Sequence, residues 1–269
     1  MDGGRLQDSR LIRGFGFALG VITQVVFLAT VVFLFRFLYN ASTRSARPWL
    51  LIDCALAIQF AVVHSVILHP TVQRRLKRWI KAEWYGLFFC LMTCGGLAIT
   101  FCFWRGSEGA VWVAHGSVKT LIYVGFYGSW VMLFYSLWLS GLGFQTGLTP
   151  WWHWLRHQPV PRRPFPTTGL NGLLRHPIYL SFLGLIWFTP SMTWDHVALT
   201  GIWTAYIFIG SYLKDERLAF FLGQRYREYQ ARVPGYPGMF WGPLGRVRLA
   251  TPLVGENRSS QPSTLRKAA

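Results

Sequence analysis

Six stretches of the chain, at residues 17–35, 49–68, 84–104, 120–140, 177–194 and 196–213, carry no charge except for a single aspartate in the second. Each is close to the roughly 20 residues of helix that cross about 30 Å of hydrocarbon. A backbone in lipid must satisfy its own hydrogen bonds, so the pattern predicts an all-α polytopic membrane protein of about six transmembrane helices. The composition agrees, with 52% hydrophobic residues and only ten carboxylates among 269 residues, too few to clothe an ordinary soluble surface. The last two stretches are short and nearly contiguous, with TPSM close before the break, Trp194 at its edge and Asp195 within it. They must form a tight antiparallel hairpin. The first run is too long for the core of a cleavable signal peptide and no small-residue cleavage site follows it.

The distribution of Lys and Arg sets the expected orientation. Arg5, Arg10 and Arg13 precede the first helix, the Arg74 to Lys81 cluster follows the second, Arg156, Arg162, Arg163 and Arg175 follow the fourth, and more follow from Lys214 onward. One side thus holds twenty-two and the other five, namely Arg36, Arg44, Arg47, Arg105 and Lys119. Both termini are expected on the cytoplasmic side of the membrane. The same placement accounts for the formal charge of +17 without nucleic acid, since basic loops serve topology and anionic membrane lipids. The expected organisation is an N-terminal segment (1–16), a four-helix region (17–140), a loop (141–176), a hairpin with an amphipathic helix (177–240) and a tail (241–269). Gly255 to Ala269 is expected to be disordered.

Cys54, Cys90, Cys94 and Cys102 all fall in apolar stretches and read as small core residues. His153 and His157 in WWHWLRHQ have a helical i, i+4 spacing, but two ligands do not make a metal site, and Trp151, Trp152 and Trp154 fit an interfacial segment. No metal is expected. His64 and His69 read as interface residues. Asp53 lies near the start of the second helix, where a carboxylate either faces a partner or reaches water, and the sequence leaves both open.

Polar residues gather at one place, LLRHPIYLSFLG. The hairpin geometry brings Arg175, His176 and Tyr179 to the depth of Asp215, Glu216 and Arg217, about forty residues later. Pro177 suits the first position of a helix, and the free amides of that terminus favour a carboxylate or phosphate. Beyond the second arm, DERLAFFLGQRYREYQARVPGYPG places Leu218, Phe221, Leu222, Tyr226 and Tyr229 on one face of an amphipathic helix, which VPGYPG ends. That helix would roof a pocket at the hairpin mouth.

RHPIY, an acidic cluster at the hairpin's end and FLGQRYREYQARVP, with its G-x-x-Y-x-x-Y-x-x-x-V-P tail from Gly223 to Pro234, resemble the isoprenylcysteine carboxyl methyltransferase-like membrane enzymes. The likeness covers residues 167–234. RHPIYLSFLGLIWFTPSMTWDH looks most like the bacterial methanethiol S-methyltransferases and NnrU-like membrane proteins, and PVPRRPF and QFAVVHSVILHPTVQRRLKRW extend it upstream. The resemblance implies S-adenosylmethionine as cofactor, held by His176, Pro177, Tyr179 and Leu180, and the ring of Tyr179, Tyr226 or Tyr229 can face its sulfonium in a cation–π contact. It implies Arg175 as electrostatic activator and Asp215 or Glu216 as its orienting partner or proton acceptor. Lys214 and Asp215 stand where such proteins carry two adjacent glutamates, Asn171 where an aromatic is common, and Ser181 where glycine often follows the tyrosine.

The implied acceptor is a small thiol such as methanethiol. A lipid or isoprenylcysteine carboxylate is the alternative, as are an NADPH-dependent sterol-type reductase and a non-catalytic NnrU-like factor. The sequence leaves the oligomeric state open.

Overall fold

The computed structural model describes residues 3–40, 48–162, 165 and 167–247, with side chains from Leu11 onward. Arg44, Arg47, Arg163 and the tail from Gly255 to Ala269 lie outside the described residues, as do the side chains of Arg5 and Arg10. Among the described residues five helices are long and apolar enough to cross a membrane: α1 (Gly3–Tyr39), α2 (Trp49–Leu68), α4 (Tyr85–Phe103), α5 (Gly116–Leu139) and α10 (Trp194–Leu222). A sixth apolar helix, α9 (Pro177–Trp187), is shorter. The protein is an all-α polytopic membrane protein whose outward faces are rich in exposed Leu, Val, Ile and Phe, as lipid contact requires. Short helices α3 (Pro70–Leu76), α6 (Leu142–Gln145), α7 (Leu148–Leu155), α8 (Leu170–Leu173) and α11 (Gln224–Arg232) join and cap them.

The interior of the bundle is built from α1, α2, α4, α5, α9 and α10, with Leu38, Ala57, Phe126, Leu133, Leu185, Ile186 and Leu199 almost fully buried. The indoles of Trp130 and Trp203 fill the spaces between them, and Trp203 donates its Nε1 hydrogen to the Ala57 carbonyl, 3.3 Å away. Contacts order the ends. Gly16 on α1 meets Trp84 and Trp154, Tyr85 at the head of α4 donates to Ile67 near the foot of α2, and His64 on α2 meets Tyr206 on α10. The start of α1 and the last turns of α10 therefore lie at the same end of the bundle, together with the start of α9.

The hairpin departs from the expected pair of equal arms. Its first arm is an 11-residue helix rather than a full crossing, about 16 Å long. The cause is Thr189–Pro190: proline brings no N–H and pushes the preceding residue out of the helical region. The chain continues as strand β2 (Ser191–Thr193), which pairs antiparallel with β1 (Ala110–Val113) in the loop after α4. The second arm is longer than expected, with 29 residues and a length of about 43 Å, and ends at Gly223, whose φ of 56° is glycine territory.

Two buried carboxylates hold this far end together. Asp53 accepts from the backbone N–H of Arg105 at 2.9 Å and of Gly106 at 3.0 Å, so it faces a partner rather than water. Asp195 accepts from Trp104 Nε1 at 2.8 Å and from the backbone and hydroxyl of Ser107 at 3.1 and 2.7 Å. Asp53→Ala leaves the buried Gly106 amide and the part-buried Arg105 amide without partners, which should cost about 1 to 3 kcal/mol. Thermal unfolding in detergent should show the lowered midpoint, and proteolysis at Arg105 should become faster.

The sequence reading of WWHWLRHQ changes in one respect. Trp151 is buried against α1, donating to the Gly16 carbonyl at 2.7 Å, while Trp152 is exposed beneath the Arg156 guanidinium. His153 Nδ1 meets the Thr149 carbonyl at 2.9 Å, and His69 caps α3 by accepting from Thr71 N–H. No group of three or more His, Cys, Asp or Glu able to hold a metal occurs among the described residues.

Candidate active site at the RHP corner

The backbone of Arg175 and His176 is pinned before any side chain acts. Arg175 N–H donates to Pro234 and His176 N–H to Gly235, at 2.9 and 3.3 Å, so the RHP segment lies against the VPGYPG segment. Pro177 then opens α9, where its missing N–H breaks no helical bond, and Leu180 N–H closes the first turn onto the His176 carbonyl at 2.9 Å.

The Arg175 side chain is fully buried and all its donors are engaged. Nε and Nη2 reach Asp215 Oδ2 at 3.1 and 2.8 Å, Nη2 also reaches the Pro243 carbonyl at 3.2 Å, and Nη1 reaches the carbonyls of Gln230, Val233 and Gly245 at 3.3, 2.8 and 2.7 Å. One planar fork thus ties α10, α11 and the segment from Val233 to Gly245 into a single cap. Asp215 Oδ1 receives the Tyr226 hydroxyl and lies 3.2 Å from His176 Nε2. That last approach is close enough for charge to act but lies off the line of a hydrogen bond, so both ring nitrogens of His176 are buried without a hydrogen-bond partner.

The imidazole stands between the Tyr179 and Tyr236 rings, each with its centroid 5.5 Å away. Burial holds the His176 pKa below its ordinary range against the opposing pull of Asp215, which favours a neutral ring. Burial pushes the Tyr229 phenol up to about 12 and the Tyr226 phenol up as well, so both remain O–H donors at neutral pH. Tyr229 donates to the Asn171 carbonyl, and the Asn171 side-chain nitrogen is buried without a partner. Beside it opens a cleft of about 480 Å³ lined by Phe165, Thr167, Gly172, Arg225, Tyr229, Arg232 and Val233.

The structure brings together Arg175, His176, Pro177, Tyr179, Asp215, Tyr226 and Tyr229 within these contacts. Leu180 is half-buried in the first turn of α9, and the Ser181 hydroxyl closes that turn onto Pro177 at 2.9 Å. Glu216 is exposed and takes no part in the Arg175 network, because it follows Asp215 around the helix by 100°. Phe221 is exposed too, at 65%: Gly223 breaks the expected continuous helix into α10 and α11, so the buried face is made by Leu218, Ala219, Leu222, Tyr226 and Tyr229. Lys214 Nζ lies 5.3 Å from the Tyr179 ring centroid, so the corner carries a cation on its edge.

Tyr236 was not foreseen. It is buried, bonds to the Ser211 hydroxyl at 2.5 Å and covers His176. Its position between two prolines and two glycines was the available signal, since an aromatic in a turn that only needs to end a helix is unnecessary.

Unpaired buried nitrogens on His176 and Asn171, arginines beside a cleft and aromatic faces form a donor set that suits a polar ligand with anionic and cationic groups. That set fits S-adenosylmethionine, which carries a carboxylate, a sulfonium and an adenine.

The chain is 29% identical over 256 residues to methanethiol S-methyltransferase 1 of Bradyrhizobium diazoefficiens, covering 86% of this chain and 85% of the relative. It is 28% identical over 233 residues to methanethiol S-methyltransferase of a Pseudomonas species, covering 81% and 88%. Nurim of Rattus norvegicus is 25% identical over 204 residues, covering 72% and 76%. No family model matches the chain, and no solved structure does so significantly. The chain is a homologue of the proteins named methanethiol S-methyltransferase and of Nurim, consistent with the isoprenylcysteine carboxyl methyltransferase-like and NnrU-like membrane superfamily.

Proposed function

We propose that this protein is an integral-membrane methyltransferase that uses S-adenosylmethionine and S-methylates a small thiol, converting methanethiol to dimethyl sulfide. The observation that carries this reading is the corner where buried His176, its ring nitrogens without a hydrogen bond, lies 3.2 Å from Asp215 of the Arg175–Asp215 ion pair beneath the α11 cap. The excess of Lys and Arg at that end supports a cytoplasmic placement, on the side where the methyl donor is made.

When bound, S-adenosylmethionine supplies an electrophilic methyl group on a sulfonium. The chain's own residues supply position and a dry enclosure, which in-line displacement rewards more than proton chemistry. His176, neutral and short of partners, offers hydrogen bonds at the start of α9, and the rings of Tyr179, Tyr226 and Tyr229 offer faces to a cation. Arg175 takes a different role from the electrostatic activator expected of it. With every donor engaged, it acts as a positioning residue for the cap, and Asp215 rather than Glu216 is its orienting partner.

Membranes from cells expressing the chain, supplied with S-adenosylmethionine and methanethiol, should release dimethyl sulfide above an empty-vector control. Labelled methyl groups appearing instead on lipid or on a prenylcysteine carboxylate would move the acceptor. Reduction of a sterol-type substrate by NADPH without methyl transfer would overturn the reading.

A further inference from the structure

On the reading just given, we propose that His64, inside the bundle between α2, α4 and α10, is the residue that binds the S–H group of the acceptor thiol. The hydrogen bonds around it fix its tautomer. Thr93 has one hydroxyl hydrogen, and donates it to the Phe89 carbonyl one turn earlier at 2.9 Å. His64 Nδ1 lies 3.3 Å from the same hydroxyl oxygen, so Nδ1 must carry the hydrogen and donate it. A neutral imidazole protonated on Nδ1 keeps a lone pair on Nε2, an atom that no hydrogen bond among the described residues uses, on a half-buried side chain.

The surroundings suit a small, neutral sulfur compound. The rings of Phe60, Phe89 and Tyr206 stand 5.7, 5.1 and 6.3 Å from the imidazole, at distances where divalent sulfur makes favourable contacts with aromatic edges. A histidine in a membrane span is costly and calls for a use. The site also connects to the RHP corner. Tyr206 lies within electrostatic reach of Tyr179, whose ring stands 5.5 Å from His176. Ring contacts thus join His64 to Tyr206 at one end and Tyr179 to His176 at the other. The chemistry selects among acceptors: an S–H donates to the Nε2 lone pair, whereas a carboxylate has no hydrogen to give.

The test uses the full chain in lipid nanodiscs, comparing wild type with His64→Ala and His64→Gln, which restores an acceptor atom. The KM for methanethiol should rise about tenfold in His64→Ala and recover in part in His64→Gln, with S-adenosylmethionine binding unchanged within about twofold. If His64→Ala does not fold, Thr93→Val serves in its place, since it removes the acceptor that fixes Nδ1–H, and KM should again rise. A KM unchanged within about twofold in whichever variant folds would overturn the proposal. Nitrogen NMR of histidine-labelled protein gives a readout without turnover. Ethanethiol alone should shift one unprotonated ring nitrogen of the wild type, and no such shift would also overturn it. Should the wild type form no thioether, the functional reading fails while the ethanethiol shift still decides the His64 site.

Discussion

Arg175→Ala should unfold the cap at the RHP corner, not merely slow a reaction. The substitution removes every contact that the guanidinium makes to Asp215 and to the carbonyls of Gln230, Val233, Pro243 and Gly245, and leaves a buried carboxylate without its cation. Breaking one partner of a buried pair costs about 3 to 5 kcal/mol. Arg175→Lys should rescue little, because one ammonium cannot reach carbonyls spread on both sides of a planar fork. The paired variant Arg175→Met with Asp215→Leu should be less destabilised than the sum of the singles, since it strands no charge. Thermal unfolding in detergent reads all five variants. A melting midpoint for Arg175→Ala close to wild type would show that the cap does not depend on the fork.

Gly20→Leu should separate α7 from α1. A Cβ on Gly20 falls within the Trp151 indole, and one on Gly16 comes within 2.5 Å of Trp154 Cη2. Trp151 is only 3% exposed and its Nε1 hydrogen goes to the Gly16 carbonyl, so the indole cannot step aside without losing both burial and bond. Displacing a buried tryptophan costs about 3 to 5 kcal/mol. Gly14 is the internal control: a Cβ there meets nothing within 4 Å, so Gly14→Leu should leave stability unchanged or slightly raised. Equal melting of the Gly14 and Gly20 variants would refute the notch.

Apolar length alone made the long helices legible, because a lipid-facing helix has to be uncharged over a fixed distance. It also set the RHP segment and Asp215 at one end. What escaped depends on atoms far apart in sequence. Asp195 is tied to Trp104 and Ser107, which lie about ninety residues earlier, and no local pattern announces that. The shortened α9 had a signal in Pro190, but its outcome, a strand pairing with β1, required a partner from another loop. Phe221 was placed on the buried face because the helical period was carried through Gly223, where the chain instead turns. The i, i+4 spacing of Gly16 and Gly20 carried a signal for a close neighbour that the sequence reading left unused. Arg175 shows the remaining limit: its position in the corner followed from topology, while the saturation of its donors followed only from the return of the segment at Val233 to Gly245.

The most direct measurement is equilibrium binding of labelled S-adenosylmethionine to the full chain in nanodiscs, for wild type and His176→Ala, with melting midpoints recorded beside it. The account predicts saturable binding by the wild type and affinity weakened about tenfold or more in a folded His176→Ala protein. No binding by the wild type, or equal affinity in both, would contradict it.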